Sequence, residues 1–151
     1  MSQSLQERYF PDLPCFGCGP ANDKGLRLRS HLGEDGSVTA RFLPWPEHDN
    51  GLGYLNGGII ATLLDCHSAA AVTHAAYENG WEALPGAALP HVTAGLDVHY
   101  LRPAPLTEAV TLHAEIIEAS EPAITARVWL EWDGKPRAEA TVVWKRWRPR
   151  G

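Results

Sequence analysis

Hydrophobic and polar residues alternate in two short stretches near the start of the chain, residues 26–32 and residues 38–42. A period of two is typical of strands that bury one face of a sheet. The sequence Gly33-Glu34-Asp35-Gly36 separates the two stretches and favours a tight turn. The pattern therefore predicts a β-hairpin, which ends at Pro44-Trp45-Pro46.

The next stretch has the composition of a helix. From Gly57 to about Tyr77 there is no proline, few residues are β-branched and many are alanine. These features predict a helix of about twenty residues, or roughly 30 Å at a rise of 1.5 Å per residue. Its apolar positions surround the axis, so we expect other parts of the protein to enclose it.

After Gly86 the alternation returns, and it indicates four more strands. These are residues 96–100, 110–116, 124–132 and 138–144. Asp133-Gly134 predicts a hairpin turn, and hairpin connections favour an antiparallel sheet. We therefore predict an α+β fold with the order ββαββββ, in which an antiparallel sheet wraps around one long central helix in a single domain, residues 1–151. One chain cannot cover every side of that helix and sheet, which favours a dimer.

Composition excludes several classes of protein. The chain has 151 residues, of which 44% are hydrophobic and 21% are charged, so it can bury one core and is neither disordered nor fibrous. Thirteen basic and eighteen acidic residues give a net charge of −5. This balance removes the attraction to phosphate on which nucleic-acid binding mostly rests, and we expect no nucleic-acid partner.

Two segments bear on the location of the protein, namely its N-terminal segment and its most apolar segment. Glu7, Arg8 and Asp12 lie where a secretory signal would need an uninterrupted apolar run, so no targeting segment and a cytoplasmic location are expected. The most apolar run, residues 59–71, contains Asp65 and is shorter than the ~20 residues that span a bilayer. We therefore expect no membrane helix.

Several common motifs are absent or incomplete. There is no G-x-S-x-G sequence, and Gly51-Leu52-Gly53 has no third glycine at the dinucleotide spacing, which argues against a serine hydrolase and a Rossmann fold. Cys15 and Cys18 form half of a zinc pattern without a second pair, and Cys66 falls in the predicted helix. We expect these cysteines to be thiols, the first two in a tight glycine-rich turn, and we expect no metal.

Two features of the helix are candidates for chemistry. Asp65 lies two turns inside an apolar helix, where a carboxylate is costly unless it is paired or hydrogen-bonded. It is therefore either functional or a paired structural carboxylate. Asn56-Gly57-Gly58 opens the same helix, where free N–H groups can polarise a carbonyl or bind an anion. The alternative is an ordinary helix N-cap, for which Asn56 is well suited.

Residues 48–65 resemble the loop and helix start of hot-dog fold acyl-CoA thioesterases of the phenylacetate-degradation (PaaI-like) type. In that family a loop asparagine precedes His-Gly-Gly, and an aspartate follows nine residues after the histidine. The chain has Asn56 where the family has histidine, and residues 15–28 and 93–103 resemble two of the family's strands. Four positions match the motif itself: Asn50, Gly57, Gly58 and Asp65.

The resemblance implies hydrolysis of an acyl-CoA thioester with a small or medium acyl group. Asp65 is expected to be the nucleophile or the general base, the Gly57 N–H to polarise the thioester carbonyl, and Asn50 to orient the thioester or water. Coenzyme A is part of the substrate, and no separate cofactor is expected. Gly57 and Asp65 of one chain are ~12 Å apart along the helix, so the site must join two subunits of a homodimer or dimer of dimers.

Asn56 is the departure from the family pattern. An asparagine amide can donate a hydrogen bond, but it cannot protonate a leaving thiolate. A thiolate leaves without help because a thiol pKa of ~8.5 is low, so hydrolysis, reduced or altered, remains the favoured hypothesis. The alternative is a non-catalytic acyl-CoA-binding module. A hot-dog dehydratase or hydratase ranks third, because the catalytic histidine that those enzymes need is not evident in the helix.

The remaining predicted contacts concern the substrate. Arg102 could meet a CoA phosphate, although a surface arginine is the commoner explanation. Trp81 lies in the loop 77–90, which could shape the acyl pocket. Gly58 and His48, both within the segment that carries the resemblance, complete the predicted substrate-binding residues.

Overall fold

The computed structural model describes residues 3–150. Two α-helices and six strands follow one another along the chain, with a short 3₁₀ helix, Pro46–His48, before the second α-helix. Their bounds are α1 Leu5–Tyr9, β1 Ser30–Leu32, β2 Val38–Phe42, α2 Gly57–Glu78, β3 His91–Tyr100, β4 Val110–Ala119, β5 Ala123–Trp132 and β6 Lys135–Arg146. The predicted order of two strands, one long helix and four strands is confirmed.

The six strands form one antiparallel sheet in the order β1-β2-β4-β5-β6-β3. Along β5 and β6 buried and less buried residues alternate, as expected of strands with one face on a core. Helix α2 packs across β2 to β6, and the hydrophobic core fills the space between them. This arrangement leaves β3 at one edge of the sheet.

Helix α2 is apolar on all sides, as the sequence indicates, and twelve of its residues are buried. By length and composition α2 could cross a membrane, but 67% of its apolar 18-residue segment is buried inside the protein. The core helices of globular proteins are commonly as long and as apolar as this one. The burial therefore accounts for the apolar composition of α2.

The strand predicted over residues 26–32 is largely wrong, because β1 begins only at Ser30. Arg27 adopts a left-handed conformation with φ of 56°, which interrupts an extended chain. Leu26 and Leu28 donate their backbone N–H groups to the carbonyls of Phe16 and Gly17 instead of to a neighbouring strand. The alternating leucines therefore hold a loop against the core.

Helix α1 was not predicted, although its start has a recognisable signal. Ser4 and Glu7 form a reciprocal capping box, in which each side chain accepts a hydrogen bond from the other residue's backbone N–H. Gln6 on this helix is fully buried, donates to Ser30 Oγ at 2.9 Å and accepts from the Ser30 N–H at 2.7 Å. Ser30 Oγ in turn lies 2.9 Å from Nδ1 of His67 on α2. This network joins α1, β1 and α2.

Gln6→Ala is expected to lower the free energy of unfolding by about 2–4 kcal/mol, because it leaves the buried Ser30 N–H without a partner and creates a cavity. Urea unfolding measures the change. Gln3→Ala, at an exposed glutamine three residues earlier, is the matched control and should change stability by less than ~0.5 kcal/mol. Equal effects of the two substitutions would show that the network contributes nothing.

Candidate active site

Asp65 is half-buried on α2 and borders a cavity of about 250 Å³. Its Oδ1 accepts a hydrogen bond of 2.7 Å from the Thr93 hydroxyl on β3. Burial raises the pKa of the Asp65 carboxyl, Thr93 opposes this shift, and the nearby Cys15 adds to it. Asp65 is thus a hydrogen-bonded carboxylate that remains open to a cavity, as a nucleophile or general base must be.

Three cysteines lie beside Asp65, and this cluster was missed by sequence reasoning. Cys15, Cys18 and Cys66 are free thiols whose sulfur atoms all lie within 4.8 Å of one another. Hydrogen bonds from the thiols of Cys18 and Cys66 lower the pKa of Cys15. The pKa of Cys66 is raised by its hydrogen bonds with Cys15 and Cys18 and by its burial. The spacing revealed only the Cys15 and Cys18 pair, because Cys66 comes from a distant part of the chain.

The start of α2 carries the second group of candidates. Asn56 is the N-cap, and its Oδ1 accepts hydrogen bonds from the backbone N–H groups of Gly58 and Ile59 at 2.8 and 3.1 Å. No partner for the Gly57 N–H is found within residues 3–150. The Tyr100 hydroxyl donates to the Gly57 carbonyl at 2.7 Å and so covers one side of this turn.

A second cavity, of about 440 Å³, opens at this helix start. The Asn50 Oδ1 accepts hydrogen bonds from the N–H groups of Leu52 and Tyr54, which shapes the loop before the helix. Arg102 is exposed at the rim. The polar residues of the lining are Asn50, Tyr54, Tyr100 and Arg102, together with the Gly57 backbone.

The two cavities have no lining residue in common. Within one chain, therefore, Asp65 does not share a pocket with Gly57, Asn50 or Arg102. Eight residues of helix separate Asp65 from Gly57, which corresponds to ~12 Å. The structure brings Asn50, Gly57 and Arg102 together in one cavity and places Asp65 in the other.

The other predicted substrate contacts lie outside both cavities. His48 is buried, its ring stacks against the rings of Phe42 and Trp45, and its Nδ1 accepts a hydrogen bond from the Trp45 N–H at 2.9 Å. Trp81 packs against the core, and its carbonyl accepts from Arg146. Gly58 lies at the helix start, where its N–H is held by Asn56. These positions give His48 and Trp81 packing roles within the chain.

An antiparallel six-stranded sheet packed on one long helix is the hot-dog fold. The chain belongs to the thioesterase superfamily, whose family model matches residues 52–130. The matched segment contains Gly57, Asp65 and Arg102. The predicted family and the predicted hot-dog fold are confirmed.

Solved structures of other proteins share this fold. A phenylacetic acid degradation-related protein from Ralstonia eutropha has a TM-score of 0.71 and 21% identity, over 95% of this chain and 99% of that chain. A Bacillus halodurans protein whose crystal structure was determined with CoA has a TM-score of 0.64 and 26% identity, over 83% and 77% of the two chains.

Another thioesterase superfamily protein has a TM-score of 0.65 and 24% identity over 83% of this chain, and the chain spans 59% of the length of that relative. A comparison with curated protein sequences gives no match.

Proposed function

We propose that the protein hydrolyses an acyl-CoA thioester. The observation that carries the proposal is the Asp65 carboxylate, which is half-buried, hydrogen-bonded to Thr93 and open to a cavity in a thioesterase superfamily fold. The presence of CoA in the Bacillus halodurans structure supports CoA as the carrier of the acyl group.

The free thiols fit a reducing compartment, and we place the protein in the cytoplasm.

The active site in this proposal is shared between two copies of the chain. Edge strand β3 pairs with β6 on one side only, and no strand within residues 3–150 pairs with its other side. This ten-residue edge exposes apolar side chains such as Leu96 and is suited to pairing with another strand. A dimer formed through β3 can bring Asp65 of one protomer to the helix start of its partner, which one chain cannot do.

The proposed reaction uses groups from both cavities. The Gly57 N–H donates to the thioester oxygen, on which negative charge develops when the carbonyl carbon is attacked. Asp65 either attacks that carbon or takes the proton from an attacking water molecule. When Asp65 activates water, the C–S bond breaks, the acid is released directly, and CoA leaves as a thiolate that takes up the proton held by Asp65. When Asp65 attacks, the C–S bond breaks to leave an anhydride between the acyl group and Asp65. A water molecule hydrolyses this anhydride to the acid and the Asp65 carboxylate, and the proton that it releases is taken up by the CoA thiolate. A thiolate needs little help to leave, which makes a histidine at position 56 dispensable.

The residues around the helix start have supporting roles. Asn50 shapes the loop through its Oδ1, and its amide nitrogen can orient the thioester or water. Asn56 caps the helix through its oxygen, which leaves its amide nitrogen as a donor for the substrate. Arg102 at the rim of the cavity is suited to a CoA phosphate.

The proposal is tested by incubating the protein with CoA esters of short, medium and aromatic acids and following release of free CoA by chromatography. Saturable release from at least one ester, absent with Asp65→Asn, is the expected result. An acyl-CoA that binds, as measured by calorimetry, without release of CoA would instead identify a non-catalytic acyl-CoA-binding module.

Thr93→Val is expected to lower kcat about tenfold or more and to change KM little, because it removes the hydrogen bond that orients the Asp65 carboxylate. Thr93→Ser retains a hydroxyl and should restore most of the rate. The kcat and KM values of the three proteins provide the measurement. Thr93 has no orienting role if the valine variant reacts at the rate of the unmodified protein.

A further inference from the structure

The cysteine cluster lies outside the proposed reaction and is built from two distant parts of the chain. Cys15 and Cys18 belong to the loop before β1, and Cys66 belongs to α2. Cys18 and Cys66 are buried, Cys15 is half-buried, and all three border the cavity that contains Asp65. Thiolates are the preferred ligands of thiophilic metal ions, and three of them from two segments are enough to hold one ion.

The distances fit such an ion. Three sulfur atoms bound to one tetrahedral zinc ion at about 2.3 Å lie roughly 3.8 Å apart. The sulfurs of Cys15 and Cys66 are 3.8 Å apart, and the other pairs lie within 4.8 Å. Closing the cluster around an ion therefore requires side-chain shifts of about 1 Å or less, given the same bond length.

The loop itself is shaped to bring the sulfurs together. The Gly19 N–H donates to the Cys15 carbonyl at 2.8 Å and closes the turn that carries Cys15 and Cys18. A side chain at position 17 would overlap the Cys66 sulfur, so the glycine is what allows α2 to present this thiol to the loop. A side chain at position 19 would overlap the backbone of Leu13 and Cys15, so this turn also requires glycine.

We propose that Cys15, Cys18 and Cys66 form a three-thiolate site for a thiophilic metal ion of the Zn²⁺ class. The ion ties the loop before β1 to α2 at the residue next to Asp65, and a water molecule or a cavity ligand completes its coordination. The sequence offered only two neighbouring ligands and therefore indicated no metal. The fold supplies the third ligand, and the proposal is independent of whether the protein hydrolyses thioesters.

Zinc binding is measured on the full-length, reduced and chelator-treated protein. After one equivalent of Zn²⁺ and desalting, mass spectrometry of the metal content should find about one ion per chain, consistent with one three-thiolate site. Zn²⁺ should also protect all three cysteines from iodoacetamide, which requires no mutation. Co²⁺ in place of Zn²⁺ should give the sulfur-to-cobalt charge-transfer band of thiolate coordination.

Two glycine variants test whether zinc binding requires the three thiols to be held in this arrangement. Gly17→Ala keeps all three cysteines but displaces Cys66, and its zinc affinity should fall ~10-fold or more. Gly95→Ala is the matched control, because its added methyl group meets only Val143 at ordinary distance, and it should bind zinc as the unmodified protein does. Circular dichroism checks that both variants are folded.

The proposal fails if Zn²⁺ leaves iodoacetamide labelling unchanged, or if zinc is retained after Cys66→Ser as tightly as before. It also fails if Co²⁺ gives no charge-transfer band while the thiols are reduced, in which case the three cysteines are only packed thiols. None of these readouts depends on thioester hydrolysis, so they remain decisive whatever the activity of the protein.

Discussion

Asp65→Asn is expected to lower acyl-CoA hydrolysis by ~10²-fold or more, because an amide can neither attack the thioester nor accept a proton from water. The side chain keeps its shape, and its oxygen can still accept the hydrogen bond from Thr93. The fold and the dimer should therefore persist, and stability should change little or rise, because a half-buried charge is removed. Turnover of the best ester under saturating conditions measures the effect.

Asp12→Asn is the matched control for this experiment. Asp12 is exposed and lies outside β3 and outside both cavities. The control should react at the rate of the unmodified protein. An Asp65→Asn protein that hydrolyses acyl-CoA as fast as this control would remove Asp65 from the reaction, and a folding defect without a kinetic effect would make it a structural carboxylate.

The order of elements could be predicted because each strand and helix has a local signal. In β5 and β6 one face is buried, so the alternation of residue types follows the pleat. Helix α2 is enclosed, and its all-round apolar composition reflects this directly. The alternation at residues 26–28 does not reflect a strand. Leu26 and Leu28 are both buried, but Arg27 between them has a left-handed backbone conformation.

Candidate site residues could be predicted where the sequence around each of them carries a signal of its own. Gly57 and Asp65 were identifiable because they lie on one helix, and their separation along it already indicated a site shared by two chains. The partner of Asp65, Thr93, comes from β3 across a loop, and an unremarkable threonine gives no signal in the sequence. Cys66 was missed as a partner of Cys15 for the same reason: contacts between distant segments follow from packing.

Gly57→Pro is the second substitution for which we expect a large effect. Proline at the first position of a helix removes one N–H and keeps the helical φ, and Asn56 has a ψ of 134°, which suits a residue before proline. The nearest atoms to a Cβ added at position 57 would belong to the Tyr100 side chain, at 3.5 Å or more. The helix should therefore form normally while kcat falls ~10²-fold, as for loss of one donor to a developing oxyanion.

Gly57→Ala distinguishes the effect of losing the N–H from the effect of adding a side chain. Alanine keeps the N–H and places a methyl group where proline places its ring, so its kcat should fall far less than that of the proline variant. Thermal unfolding of both variants shows whether the helix start is preserved. If alanine and proline reduce kcat equally, the effect is steric and the Gly57 N–H does not stabilise the oxyanion.

Mixing the two inactive chains tests whether the groups act across the dimer. A dimer of one Asp65→Asn chain and one Gly57→Pro chain contains one active site with both groups intact and one with neither. Random exchange of equal amounts places half of the chains in such dimers, so about a quarter of the unmodified activity should return. Exchange is verified by native mass spectrometry. If mixed dimers form and activity does not return, Asp65 and Gly57 do not act on the same thioester from different chains.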